Sequence, residues 1–301
     1  MRSCDSGRIA EHLWYLGREE SGIYLLEGED CSLIISGGMS YLAPVVRNQL
    51  ETFGIDETRI RKLLILHSHF DHVGLVPFFQ RRYPDLRVYA SARAWEILQV
   101  PKAIETINAF SSLVAAGRGM TEWLEGEDLE WRDDVAGVAV SEGTVIDLGG
   151  VTVQVMETPG HSSCSVSAYV PEIRALFPSD GGGIPYGGSI LASGNSNFTQ
   201  YQKSLERLQS LKVEMLCADH YGYVTGPEAE TYLFRSGEAA RDYRVMTETI
   251  YRRTGSIDAT VEELVRERLS QIPDFVIGKE IYAGVCRQTT RHIVGAMGEK
   301  A

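Results

Sequence analysis

Residues 61–75 read RKLLILHSHFDHVGL. An apolar run stops at a histidine, and three of the chain's seven histidines and one aspartate then fall within six residues, His67 to His72. The run predicts a short, buried strand, and the loop after a strand is where many enzymes present polar groups. His67 and His69 are two apart, so in an extended segment they project to one side. Asp71 and His72 begin the next helix, whose turn aims them at a second point nearby. Imidazole nitrogens beside a carboxylate suit zinc, iron or manganese. A helix cap at Asp71 beside incidental histidines would explain one residue of the four.

Three later strand ends repeat the device. ETPGHSS places His161 in a Thr-Pro-Gly turn, LFPSDGG places Asp180 before three glycines, and LCADHYG places His220 after another apolar run. Each alone reads as a cap, a turn residue or a satisfied core histidine. Together with residues 67–72 they make a donor set large enough for two metals. His12 and His292 remain, and they read as structural or surface residues.

Composition narrows the rest. The net charge of −12 repels a phosphate backbone, and the basic clusters RIRK (59–62) and RRYPDLR (81–87) are short enough to be solvated faces, so nucleic acid is disfavoured as a partner. Five cysteines stand singly without a CxxC pair, which argues against a disulfide framework and a thiolate zinc site and suits a reducing cytoplasm. No apolar stretch reaches the length of a membrane span, and the first residues lack the apolar region of a secretory signal.

Strand-type runs at 12–17, 22–28 and 31–38 precede a helix that ends at Gly54. Residues 92 to about 128 read as a helical insertion. Strands return from 138 to 225, interrupted by a helix at 198–211. From 227 to 301 the chain reads as helices, with a capping box at Thr260 and Glu263 and one apolar stripe of Val261, Leu264, Val265 and Leu269. Such a stripe must be buried, either at a pocket mouth or on a second subunit, so a homodimer is a second expectation.

HxHxDH, then GHS, then a strand-end Asp, then a late strand-end His resembles the metallo-β-lactamase-fold hydrolases, over roughly residues 12 to 225. The resemblance implies an α/β fold, a four-layer αββα sandwich with the metals at one edge. The domain is then 1–226, with the helical insertion at about 92–128 and a C-terminal helical extension at 227–301. It implies that His67, His69 and His161 bind metal 1, that Asp71, His72 and His220 bind metal 2, and that Asp180 bridges. Two divalent ions are expected, zinc first, with iron or manganese as alternatives. Two departures alter the pocket lip. Cys164 stands where many members have Gly, and Asp180 is followed by GGGIPYGG in place of the common apolar pair. The insertion and tail also resemble a subgroup with the quinolone-signal response thioesterase, and glyoxalase II has a similar helical C-terminus.

The implied mechanism is attack by a metal-bridging hydroxide on a small-molecule ester, thioester or lactone, with Asp71 orienting the hydroxide and carrying its proton. Asp219 is a candidate to fix an imidazole. Tyr186, Tyr221 and Tyr223 are candidates to line the substrate pocket. Three rival readings stand beside this one: a mononuclear-iron sulfur dioxygenase, a phosphodiesterase or ribonuclease, and a regulatory binding protein with little turnover.

Overall fold

The computed structural model describes residues 1–124, 127–271 and 278–298. Chain contacts gather them into two compact units. The first comprises residues 1–157, 164–180 and 212–230, and the second comprises 158–163, 181–211 and the chain from Thr231 onward. The second unit thus draws in the segment after Asp180 as well as the helical tail, a different partition from a cut after residue 226.

The first unit is a sandwich of two seven-stranded sheets. One begins as an antiparallel meander through Gly7–Ala10, Leu13–Arg18, Ser21–Glu27 and Ser32–Ile35. It continues in parallel through Ile60–Leu64, Arg87–Ser91 and Gly137–Val140. Parallel strands need crossovers, and helices supply them: α1 (Ala43–Thr52), then α2 (Val76–Arg82), then α3 (Ala92–Leu98) with α4 (Pro101–Gly117). Gly54, at φ +64°, stands just beyond α1 as expected for a left-handed stop. The other sheet pairs Ala175–Phe177 with Met215–Cys217 in parallel at its centre and is otherwise antiparallel. Between the sheets lies a continuous apolar layer that includes Leu26, Leu33, Leu64, Val153, Val166 and Phe177, all buried. Strands covered on one face by this layer and on the other by helices read as unbroken apolar runs, which is why LLILH ends so abruptly at its first polar residue.

Three local expectations are corrected. Asp71 and His72 do not begin α2; they sit in a separate 3₁₀ turn, Phe70–His72, and α2 starts only at Val76, past Gly74, which lies so close to the Ser40 backbone that no side chain fits. The insertion is helical to Gly117, followed by a short turn at Thr121–Leu124, and residues 125–126 of the expected helix lie outside the described residues. Thr260 with Glu263 is not a capping box: the helix already begins at Ile257. The Ser256 hydroxyl accepts from the Ala259 N–H, and Thr260 Oγ1 bonds back to the Ser256 carbonyl at 2.8 Å from inside the helix.

In the second unit a short hairpin, Ile184–Tyr186 with Ser189–Leu191, precedes α5 (Phe198–Leu208). The long α6 (Pro227–Thr254), α7 (Ile257–Gln271) and α8 (Lys279–Gly298) follow. Val261 and Val265 of the expected stripe pack against Tyr282 and Cys286 of α8, with Leu269 beside them, so the stripe is covered within the chain. No helix among the described residues is long and apolar enough to cross a membrane.

Candidate metal centre

The first unit brings six of the expected donors together. His67 lies three residues beyond the Ile60–Leu64 strand and is wholly buried. Its Nε2 stands 3.1 Å from Nδ1 of His69. The Phe70–His72 turn is held close under the first sheet: the Gly37 N–H donates to the His72 carbonyl, and a Cβ on Gly37 would lie 2.7 Å from that oxygen, so a side chain there would displace the turn. Asp180 follows the Ala175–Phe177 strand, and His220 follows Met215–Cys217. These strand ends therefore deliver their donors to one edge of the sandwich.

The geometry at that edge is tight. His72 Nε2 and His220 Nε2 are 3.2 Å apart. Asp71 Oδ2 is 3.5 Å from each of them. Asp180 divides its oxygens, with Oδ2 3.5 Å from His72 Nε2 and Oδ1 3.6 Å from His220 Nε2. A tetrahedral zinc with bonds of about 2.0–2.1 Å has ligand–ligand edges of about 3.3 Å. The donor spacings match that polyhedron, so the residues fit a divalent ion. The trios His67–His72–Asp180 and Asp71–His72–His220 each present donor atoms within 4.8 Å of one another.

Hydrogen bonds behind the donors fix which nitrogen each histidine offers. His220 Nδ1–H donates to the Glu20 carbonyl at 2.6 Å. His72 Nδ1–H donates to Asp219 Oδ2 at 2.8 Å. His67 Nδ1 meets Ser179 Oγ at 3.1 Å, and that hydroxyl donates in turn to Asp219 Oδ2. A single hydroxyl proton cannot serve both neighbours, so Ser179 accepts from His67 Nδ1–H. Three imidazoles thus point Nε2 inward, the tautomer that metal-binding histidines use when a partner holds the other nitrogen.

Three buried or nearly buried carboxylates, Asp71, Asp180 and Asp219, crowd this edge. Burial pushes the His72 imidazole toward the neutral form, but Asp71 and Asp180 outweigh it, and its pKa lies well above the ordinary value. His220 behaves likewise, raised against burial chiefly by Asp180. Burial raises the Asp71 carboxyl, and His72 and His220 more than offset it, so Asp71 stays below the usual carboxylate range. The edge is an electrostatic trap for positive charge, which is the chemistry a divalent ion needs.

His161 belongs to the second unit, and there its turn is rigidly seated. Gly160, at φ +133°, touches the Tyr201 backbone so closely that no side chain fits. The Ser196 and Asn197 N–H groups donate to the Gly160 carbonyl, and Ser204 Oγ donates to the Pro159 carbonyl at 2.7 Å. His161 Nδ1–H donates to the Ser193 carbonyl at 2.7 Å, which again fixes the tautomer. Tyr186 lies half-buried in the hairpin of this unit. In the first unit Tyr221 is half-buried in the left-handed region at φ +58°, its N–H bonded to the Glu19 carbonyl at 2.5 Å. Tyr223 turns its ring to Tyr15 at 5.6 Å, against the sandwich core. Cys164 is buried and 3.3 Å from Ser68 Oγ, a packed small residue.

Sequence reasoning missed Ser179, Glu20 and Phe110. Ser179 had a signal, since it directly precedes Asp180 at a strand end. Glu20 had none, because it acts through its backbone carbonyl. Phe110, on α4, meets Phe70 edge to face at 5.4 Å, so the insertion lays an aromatic wall beside the donors.

Residues 16–220 match the family model described as the metallo-beta-lactamase superfamily. The chain is 32% identical, over 85% of its length and 82% of the relative's, to a hydroxyacylglutathione hydrolase of Methylococcus capsulatus. It is 25% identical, over 74% of its length and 82% of the relative's, to the acyl-coenzyme A thioesterase MBLAC2 of Gallus gallus. Among solved structures it is similar to a metallo-beta-lactamase family protein of Thermus thermophilus, with a TM-score of 0.67, 17% identity, and coverage of 97% of this chain and 95% of that one.

Proposed function

The chain belongs to the metallo-β-lactamase superfamily and is a hydrolase of that superfamily; on that premise we propose that it is a binuclear enzyme that cleaves an ester, thioester or lactone. The observation that carries the proposal is the convergence of Asp71, His72, Asp180 and His220 at spacings of 3.2–3.6 Å. In this reading His67, His69 and His161 hold one ion, Asp71, His72 and His220 hold the other, and Asp180 serves both. Zinc suits the mixed imidazole–carboxylate set and the tetrahedral spacings, with iron or manganese as the alternatives.

Such a pair supplies, when bound, Lewis acidity toward a carbonyl and an activated water near neutral pH. The chain's own residues do the rest. Asp71 stays ionised beside His72 and His220, so it can take a proton from the attacking water and return it to the leaving group. Asp219, Ser179 and the Glu20 carbonyl hold the imidazoles in one orientation, which lowers the cost of assembling the site.

Three features support an acyl substrate over a phosphodiester. HSHFDHVGL, TPGHSSCS, SDGGGIPYGG and ADHYGYVTG contain no Lys or Arg to hold non-reacting phosphate oxygens. The Phe70–Phe110 wall is apolar. Two relatives carry the names of a thioesterase and an acylglutathione hydrolase. The test is elemental analysis of protein purified without added metal, with turnover on a matched panel of p-nitrophenyl esters, thioesters and bis(p-nitrophenyl) phosphate. Two ions per chain and a preference for acyl substrates are expected. One iron and no second ion would promote the sulfur dioxygenase reading, and a clear preference for the phosphodiester would overturn the acyl assignment.

A further inference from the structure

Ser179 has a backbone that glycine would adopt more easily. Its φ is +48°, in the left-handed region that L-residues disfavour, and its side chain is buried. Neither the backbone nor burial favours a serine here, so its hydroxyl must be the reason. That hydroxyl touches three groups: His67 Nδ1 at 3.1 Å, His72 Nδ1 at 3.5 Å, and Asp219 Oδ2. His67 comes from one sheet and Asp219 from the other, 112 and 40 residues away in sequence.

We infer that Ser179 is a positioning residue that couples the two halves of the metal centre. The chain of bonds runs from His67 Nδ1–H to Ser179 Oγ, from Ser179 O–H to Asp219 Oδ2, and from His72 Nδ1–H to the same carboxylate oxygen. His67 and His72 therefore share one orienting group. A change in the tilt of either imidazole moves the acceptor that holds the other. Asp219 Oδ1 has no hydrogen-bond partner among the described residues, so Oδ2 alone carries both links. Ser179 also immediately precedes Asp180, so its strained backbone sets where that carboxylate starts. The inference rests on the two-ion reading of the site and adds a role within it.

The experiment compares the full chain with Ser179→Gly and Ser179→Ala. Each protein is stripped of metal and titrated with Co²⁺ against a chelator, with the ligand-field absorption recorded. Ser179→Gly removes the hydroxyl and relieves the backbone, so metal-free Ser179→Gly is expected to melt at or above the wild-type temperature. Both Co²⁺ ions are expected to bind about 10- to 100-fold more weakly, with altered absorption bands, because an outer partner of a ligating histidine is lost. Ser179→Ala keeps the strained backbone and is expected to show the same weakening of both ions. Combining Ser179→Gly with Asp219→Asn is expected to add less than the sum of the two single losses, since both break one chain of bonds. Wild-type affinity and spectrum in both serine variants, weakening of one ion alone, or full additivity would each overturn the coupling. Wild-type protein that binds a single Co²⁺ would overturn the two-ion reading, and the coupling with it.

Discussion

The threonines buried in the tail helices and the histidines buried at the metal edge satisfy their polar groups in opposite ways. Three buried threonines of the tail helices bond to their own backbone one turn back: Thr247 to the Tyr243 carbonyl, Thr260 to Ser256 and Thr289 to Val285. At the metal edge the partners lie far apart in sequence. His67 meets Ser179, His72 meets Asp219, and His220 meets Glu20 across 112, 147 and 200 residues. A hydroxyl bonded one turn back makes its element self-sufficient and adds little beyond it. A polar group satisfied across the chain can exist only when the whole sandwich is assembled, so it couples folding to the chemistry. The contrast separates polar groups that one helix satisfies alone from polar groups that need the assembled sheets.

The sharpest way to break this comparison is Asp180→Ala. Its two oxygens reach His72 and His220 separately, so truncation removes a shared anchor. Metal content and turnover are both expected to fall by more than the 10- to 100-fold typical of losing a mere outer partner. His220→Ala, by contrast, is expected to weaken mainly one ion. Elemental analysis beside kinetics reads both. Full metal content in Asp180→Ala would mean that this strand end does not belong to the centre.

The helical side of the comparison is tested by Leu264→Ala. Leu264 is buried on α7 and far in sequence from every donor. Removing it leaves a cavity, and a loss of about 2–5 kcal/mol in denaturant stability is expected. Metal per folded chain should stay at the wild-type value. A parallel loss of metal would show that the helices hold the centre as well as themselves.

Between these extremes stands the α4 insertion, which is helical in build but touches the donors' turn. Phe110→Ala removes one half of the Phe70–Phe110 pair without touching a ligand. The lost apolar contact is worth about 1.5 kcal/mol, or roughly a tenfold rise in KM for long acyl chains. The kcat and the KM for acetyl substrates should change little. An equal effect on every chain length would remove the aromatic wall from the substrate's path.

The same division explains what was legible in the sequence. His67, His69, Asp71 and His72 were legible because an apolar run ends on them, and the strand that positions them is local. His161, Asp180 and His220 needed only the same logic repeated, and that all three serve one centre is what the family resemblance implies and not what spacing shows. Ser179 had only its place before Asp180 to mark it, because its partners lie 40 and 112 residues away, and Glu20 was hidden because it contributes only its carbonyl oxygen, to a partner 200 residues away. Thr260 was misread in the opposite direction. Its spacing to Glu263 fits a capping box, but Ser256 already caps the helix four residues earlier. The apolar stripe of α7 does have to be buried, but the expected cover, a pocket mouth or a second subunit, is corrected: its cover is α8, the next helix in the chain.

The smallest expected effect lies on the surface, where a long-range pair carries no chemistry. Glu57 accepts from Arg82 Nε at 2.7 Å and from the Tyr83 hydroxyl, joining the turn before the Ile60–Leu64 strand to the end of α2. These bonds, the Arg82 bond first, outweigh partial burial and hold the Glu57 carboxyl below its ordinary value. A depressed acid contributes stability above its unfolded pKa, and that stability is lost as pH falls through the folded value. The contribution should therefore be complete at neutral pH and fade below about pH 4.3, the ordinary glutamate value. Both side chains are partly solvated, so its size is under about 1 kcal/mol. Glu57→Gln is expected to lose that amount at pH 7 and to match the wild type near pH 3, with metal content and turnover at neutral pH unchanged. Denaturant melts at the two pH values test this. A stability difference that stayed constant from pH 7 to pH 3 would mean that Glu57 acts through packing and not through its charge.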